Sequence, residues 1–127
     1  MDNVMALFRA LSDRNRLRVV SALLDYEELC ACQLIELMQV TGATVSRHMN
    51  VLIVSGVVSS RKEGRWVYYR LRRDQAWFLG LIQWIEIQLK NDPYLASDAK
   101  MLAEITACEP EEICRRQRGA HVGPIVN

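Results

Sequence analysis

Between Thr41 and Leu71 the spacing of the apolar residues changes from helical to strand-like, and that change restricts the folds open to this chain. Thr41 has the chemistry of a helix N-cap with Gly42 beside it, and Val45, Met49 and Leu52 follow at i, i+4 and i+7. Gly56 fits the stop of that helix. From Val57 the β-formers Val57, Val58, Trp66, Val67, Tyr68, Tyr69 and Leu71 take over, with Glu63-Gly64 as a central turn. The spacing predicts a hairpin whose tip is Arg61-Lys62-Glu63-Gly64-Arg65.

Helical patterns flank this unit on both sides. Val4, Leu7, Phe8 and Leu11 predict a first helix. Ser12 or Asp13 can cap a second, with Leu17, Val20, Leu23 and Leu24 on one face. A third, short helix covers about Cys32 to Met38. After the hairpin, Asp74 can cap a long helix reaching about Lys90, and Asp92-Pro93 opens a last helix to about Ala107. Four helices, a β-hairpin, a long helix and an extra C-terminal helix make a mainly α fold in the order of a winged helix-turn-helix. We expect residues 1–107 to form one DNA-binding and dimerisation domain and residues 108–127 a C-terminal tail.

The charges are segregated. Of 16 basic and 15 acidic residues in the 127-residue chain, seven basic residues and Glu63 alone lie between Val40 and Arg73. The segments on either side, Met1–Gln39 and Asp74–Cys114, are net acidic. A basic middle third suits a polyanion better than the overall charge of +1 suggests. On the helix after Thr41, Met49 and Leu52 fall within about 40° of Val45, while Ala43, Arg47 and Asn50 lie opposite and Thr44 and Ser46 flank them. That outward face is small, polar and basic, as close approach to base edges requires. Arg61, Lys62 and Arg65 at the hairpin tip suit phosphate or minor-groove contacts.

These segments resemble the ArsR/SmtB repressors. Ala10-Leu11-Ser12-Asp13-Arg14-Asn15-Arg16-Leu17-Arg18 is similar to the opening of their second helix, apart from Arg14 where the family commonly has Pro. Val45-Ser46-Arg47-His48-Met49-Asn50-Val51-Leu52 resembles their recognition helix, and Arg61 to Leu71 their wing. The resemblance covers about Val4 to Lys90. It implies a homodimer that leaves double-stranded operator DNA when a metal or metalloid binds. It also implies that the long helix and the first helix form the dimer interface, with Leu7, Trp77, Leu81, Trp84 and Ile85 as its residues. Independently, the apolar residues around Trp77 spread over about 160° of the long helix, more surface than one small core covers.

Glu28-Leu29-Cys30-Ala31-Cys32-Gln33-Leu34 resembles the signature of the arsenic-responsive branch. Soft thiolates suit arsenite and antimonite and disfavour hard cations, so Cys30 and Cys32 are the expected inducer ligands. Residues two apart on a helix diverge by about 200°, so both sulfurs reach one ion only if that turn loosens. Some arsenic sensors carry a third Cys where this chain has Ile35, which leaves Cys108 and Cys114, in the same or the other subunit, as alternatives. The zinc-sensing branch uses carboxylates and histidines on the long helix, where this chain has Ala76, Ile87 and Lys90. His48 and His121 are weaker candidates, the first on the edge of the recognition helix and the second in the tail.

No resident cofactor is expected. A thiol redox or persulfide sensor built on the same cysteines is the alternative within regulation. Two distant His and no nucleophile motif, Gly-rich phosphate loop or carboxylate pair speak against an enzyme. The longest apolar stretch, Ala76 to Leu89, is interrupted by Gly80, Gln83, Glu86 and Gln88, so no membrane span is expected. Four Cys without an export signal point to the cytoplasm.

Overall fold

The structure is a computed structural model that describes the backbone of residues 1–125 and the side chains through Arg118. Seven helices and three strands follow in the order α1 (Asp2–Leu11), α2 (Arg14–Asp25), β1 (Leu29–Cys30), α3 (Ala31–Met38), α4 (Gly42–Val54), β2 (Val58–Glu63), β3 (Trp66–Leu71), α5 (Ala76–Leu89), α6 (Pro93–Ala107) and α7 (Pro110–Ile125). Local chemistry sets most boundaries. The Asp13 carboxylate accepts from the Arg16 N–H at 3.1 Å, and the Thr41 hydroxyl accepts from the Thr44 N–H at 3.2 Å. Asp92 accepts from Tyr94 and Leu95, with Pro93 at the first helical position. Gly56, at φ +82°, follows α4 and adopts the left-handed conformation that ends helices. Gly64, at φ +62°, opens the two-residue loop between β2 and β3.

Three features depart from the sequence expectations. Asp74 does not cap α5: the cap position is Gln75, and the Asp74 carboxylate instead pairs with Arg72 at 3.1 Å. The hairpin has a third strand, β1, paired antiparallel to β3 with Leu29 opposite Tyr69 and Cys30 opposite Tyr68. The segment read as a tail contains α7, begun by Pro110, whose Ile113 and Cys114 are buried as the helix packs against α3. His121 lies outside the described side chains.

Val19, Val20 and Leu23 of α2, Leu34 and Leu37 of α3, and Val45, Met49 and Leu52 of α4 form the centre of the core, closed by Val57, Leu71 and Phe78. The three apolar positions of α4 point inward as its periodicity requires, which turns Ala43, Ser46, Arg47 and Asn50 to solvent. α3 packs against α4, α6 and α7 at once.

One buried ion pair fixes the C-terminal helices to this core. Arg18 donates to both Asp98 oxygens at 2.8 and 3.0 Å, and to the Leu37 carbonyl at 3.0 Å, while its guanidinium lies over the Tyr94 ring at 5.0 Å. Both side chains are under one-tenth exposed. Removing one partner leaves an uncompensated buried charge, so Asp98→Ala should destabilise the fold by about 3 kcal/mol, read as a lower urea midpoint at fixed protein concentration. A midpoint unchanged from wild type would contradict the pair's role.

Candidate thiol site and nucleic-acid interface

The two residues of Cys30-Ala31-Cys32 that carry sulfur have different environments. Cys30 ends β1 and is the N-cap of α3: its N–H donates to the Gln33 side-chain oxygen at 2.9 Å, and its sulfur faces the Gln33 backbone N–H in a reciprocal capping box. It is 1% exposed, and burial pushes its thiol pKa up. Cys32, in the first turn of α3, faces α7 and forms a disulfide with Cys114, with a Cα–Cα separation of 5.4 Å. Gln117, one turn further along α7, donates to the Cys32 carbonyl at 2.8 Å and to a Glu36 carboxylate oxygen at 3.0 Å. The structure therefore pairs Cys32 with Cys114 of its own chain, and Cys30 with neither. The different elements explain this: Cys30 is held at the end of β1 in extended conformation, while Cys32 lies within α3 on the side that meets α7.

Cys108 is placed elsewhere. It caps the C-terminal end of α6, half-buried, with the Arg116 guanidinium 3.9 Å from its sulfur. Among the described residues, no group of three His, Cys, Asp or Glu side chains is arranged to hold a metal ion.

Cys30, Cys32 and Cys114 nevertheless line one cavity of about 650 Å³. Its walls include Ile35 of α3, Val40, Thr41 and Gly42 at the start of α4, and Arg65, Trp66 and Val67 of the wing. The free Cys30 thiol and the Cys32–Cys114 disulfide thus share a space with both elements expected to meet DNA.

On the expected DNA surface, Ala43, Ser46, Arg47 and Asn50 are exposed along α4, and Thr44 is half-buried, its hydroxyl held by Thr41 at 2.9 Å. Lys62 and Arg65 are exposed at the wing tip with no ion pair among the described residues. Arg61 is not free in this way. It donates to both Glu28 oxygens at 2.8 and 2.7 Å and to Glu63 at 3.1 Å, and stacks over Tyr68 at 4.3 Å. The hydrogen bonds from Arg61, assisted by Arg70, hold the Glu28 carboxyl below its ordinary pKa. Glu28 lies two residues before Cys30, so this pair ties the cysteine strand to the wing. His48 accepts from the Arg16 guanidinium at 3.1 Å, and Arg16 also donates to the Ala10 and Arg9 carbonyls, joining α4 to the α1–α2 corner.

The expected dimer residues divide into two groups. Trp77 and Trp84 are 50% and 60% exposed on α5, and Ile87 beside them is 69% exposed. Ile85 is only 4% exposed within one chain, and Leu7 and Leu81 pack against the protomer's own core. Val4, Met5 and Phe8 of α1 are exposed as well. Sequence reasoning did not find Gln117, the Glu28–Arg61 pair, the Arg18–Asp98 pair or β1. A two-residue strand is too short to leave a periodic signal.

An antiparallel hairpin following a capped helix-turn-helix makes this a winged helix-turn-helix protein. A profile described as "Bacterial regulatory protein, arsR family" matches residues 13–60. The arsenic resistance transcriptional regulator ArsR1 of Pseudomonas putida is 33% identical over 104 residues, covering 78% of this chain and 77% of that protein. The cadmium resistance transcriptional regulatory protein CadC of Listeria innocua is 43% identical over 70 residues, covering 55% of this chain and 59% of that relative, so the match spans about three fifths of its length. Among solved structures, HlyU from Vibrio cholerae superposes with a TM-score of 0.60 at 25% identity, over 68% of this chain and 91% of that one. The chain belongs to the ArsR family of bacterial regulatory proteins. Among the described residues, no helix is long and apolar enough to cross a membrane.

The cysteine environments predict an order of alkylation. Cys108 should react first with iodoacetamide under non-reducing conditions, and Cys30 slowly, because it is buried and its thiolate is disfavoured. Cys32 and Cys114 should label only after reduction. Peptide mapping that finds Cys30 labelled before Cys108 would contradict this placement.

Proposed function

We propose that the chain is a homodimeric transcriptional repressor that binds double-stranded operator DNA through α4 and the wing and is released when arsenite or antimonite binds cysteine thiolates. The observation that carries this reading is the shared cavity, in which Cys30, Cys32 and Cys114 meet the N-terminus of α4 and the tip end of the wing. Cys32 and Cys114 are the primary ligands, because reducing the disulfide that joins them leaves two thiols side by side on α3 and α7. Cys30 joins them only when the first turn of α3 opens and gives up its capping box. Opening that turn disturbs β1, which is paired to the wing, and shifts the equilibrium away from the DNA-competent dimer. Ala43, Thr44, Ser46, Arg47 and Asn50 form the base-reading surface, and Lys62 and Arg65 the principal phosphate contacts. The second copy covers the exposed aromatic face of α5 together with Val4, Met5 and Phe8. The arsenic resistance regulator at 33% identity supports the metalloid, and the cadmium regulator at 43% leaves thiol-bound cations as the nearest competitor.

A redox reading uses the same pair. Closure of the Cys32–Cys114 disulfide gives up two electrons and two protons to an oxidant such as peroxide, and the 5.4 Å Cα separation already suits the bond.

Fluorescence anisotropy with a labelled duplex from the chain's own upstream region tests both readings. Arsenite should release the reduced wild type, and Cys32→Ser or Cys114→Ser should bind the duplex and stay bound, while Cys108→Ser responds normally. Release by mild peroxide but not by arsenite would replace the metalloid reading with the redox one.

The same assay checks the DNA surface. Arg47→Ala should weaken specific binding by about 1–3 kcal/mol. Arg65→Ala should lower the salt slope by about 1, and Arg61→Ala by less, because Glu28 already neutralises Arg61. Equal slopes for the two wing variants would contradict that distinction.

A further inference from the structure

From the two arginines that line the cavity, one on the wing and one on α7, we infer that α7 is a third DNA-contacting element, with Arg118 and Arg65 gripping the phosphate backbone together. The inference rests on the DNA-binding reading above and extends the contact surface beyond α4 and the wing.

Arg65 joins the cavity lining from the tip end of the wing and Arg118 from the far side, on α7. Both side chains are exposed, and among the described residues no Asp or Glu lines the cavity with them. Two like charges on one cavity repel, and an anion seated between them turns both interactions attractive. The planar guanidinium fork matches the oxygens of a phosphate. A duplex backbone is the anion that this position selects. The same wall contains Thr41 and Gly42 at the start of α4, and Ala43, the first of the proposed base-reading residues, follows directly.

The packing of α7 aims Arg118. Ile113 is fully buried, and Gln117 donates to the Cys32 carbonyl and to Glu36 on α3. Arg118, the next residue, leaves the helix about 40° from Cys114 and about 100° from Gln117, at the edge of the packed face. The other two arginines of this helix are directed elsewhere. Arg115 pairs with Glu111 at 3.9 Å, and the Arg116 guanidinium lies 3.9 Å from the Cys108 sulfur. After Glu112 the sequence carries these three arginines and no acidic side chain. Arg118 is therefore the cation of α7 that the fold turns toward the wing.

The test is the salt dependence of binding by the full-length chain, measured by fluorescence anisotropy on the duplex from its own upstream region and on a scrambled duplex of equal length. Arg118→Ala should lower the slope of log K against log salt by about 1 on both duplexes, as the loss of one phosphate contact requires. Arg118→Lys keeps the charge and should keep most of the slope. Arg115→Ala removes the same charge from the same helix and should change the slope far less. Ethylation interference on the upstream duplex should show a phosphate whose modification weakens the wild type and leaves Arg118→Ala unaffected. Arg118 is exposed, so its variants should unfold at the wild-type urea midpoint. An Arg118→Ala slope equal to that of the wild type, or equal losses in Arg118→Ala and Arg115→Ala, would overturn the inference and leave the DNA-binding reading standing. A wild type that binds neither duplex would overturn both.

Discussion

The first turn of α3 is clamped from two sides, and the rest of the site depends on that clamp. On one side β1 pairs Cys30 with Tyr68 of the wing strand. On the other, Gln117 donates to the Cys32 carbonyl and Cys114 meets the Cys32 sulfur, so α7 is fastened across the same turn. Any ligand that draws the two sulfurs of Cys30 and Cys32 together must disrupt one of these contacts, because Cys30 is held by β1 and its capping box while Cys32 is tied to α7. α4 is packed against α3, and the wing is paired to the strand that leads into it. Under the proposed function, coupling of thiol chemistry to α4 and the wing needs no longer path than that.

Electrostatics refine the basic middle third. Its seven cations are not equivalent once folded. Arg61 and Arg70 converge on Glu28, and Arg72 on Asp74, so part of the charge is spent on fixing the hairpin to its surroundings. Arg47, Lys62 and Arg65 remain exposed without an ion pair among the described residues. The wing is thus oriented by one set of basic residues, while another stays exposed. A separate, buried pair, Arg18–Asp98, performs the anchoring role for α6, and with α6 in place α7 can reach α3.

The amphipathic character of α5 has a similar division of labour. Phe78, Ile82 and Ile85 complete the protomer, while Trp77, Trp84 and Ile87 stand on the outside. An apolar arc of about 160° exceeds what one core covers, and the structure shows which part is left over. Two large indoles on one exposed face form the kind of contiguous apolar surface that a soluble monomer rarely keeps uncovered.

The winged helix-turn-helix was legible in the sequence because its determinants are local. Thr41 caps α4, Gly56 and Gly64 supply positive φ, the 3.6-residue period fixes the buried face of α4, and β-formers bracket the turn. The exposure of Ala43, Ser46, Arg47 and Asn50 followed from that period alone. The site was only partly legible. Cys-Ala-Cys announced thiol chemistry and Cys114 stood among the possible partners, but its choice over Cys108 needed α7, a helix hidden in a segment of polar composition. Cys32 and Cys114 are 82 residues apart, Arg18 and Asp98 80, and Glu28 and Arg61 33. Contacts at such separations depend on the path of the whole chain, which local propensity does not encode, so which thiols meet and which arginines stay free were decided by tertiary structure.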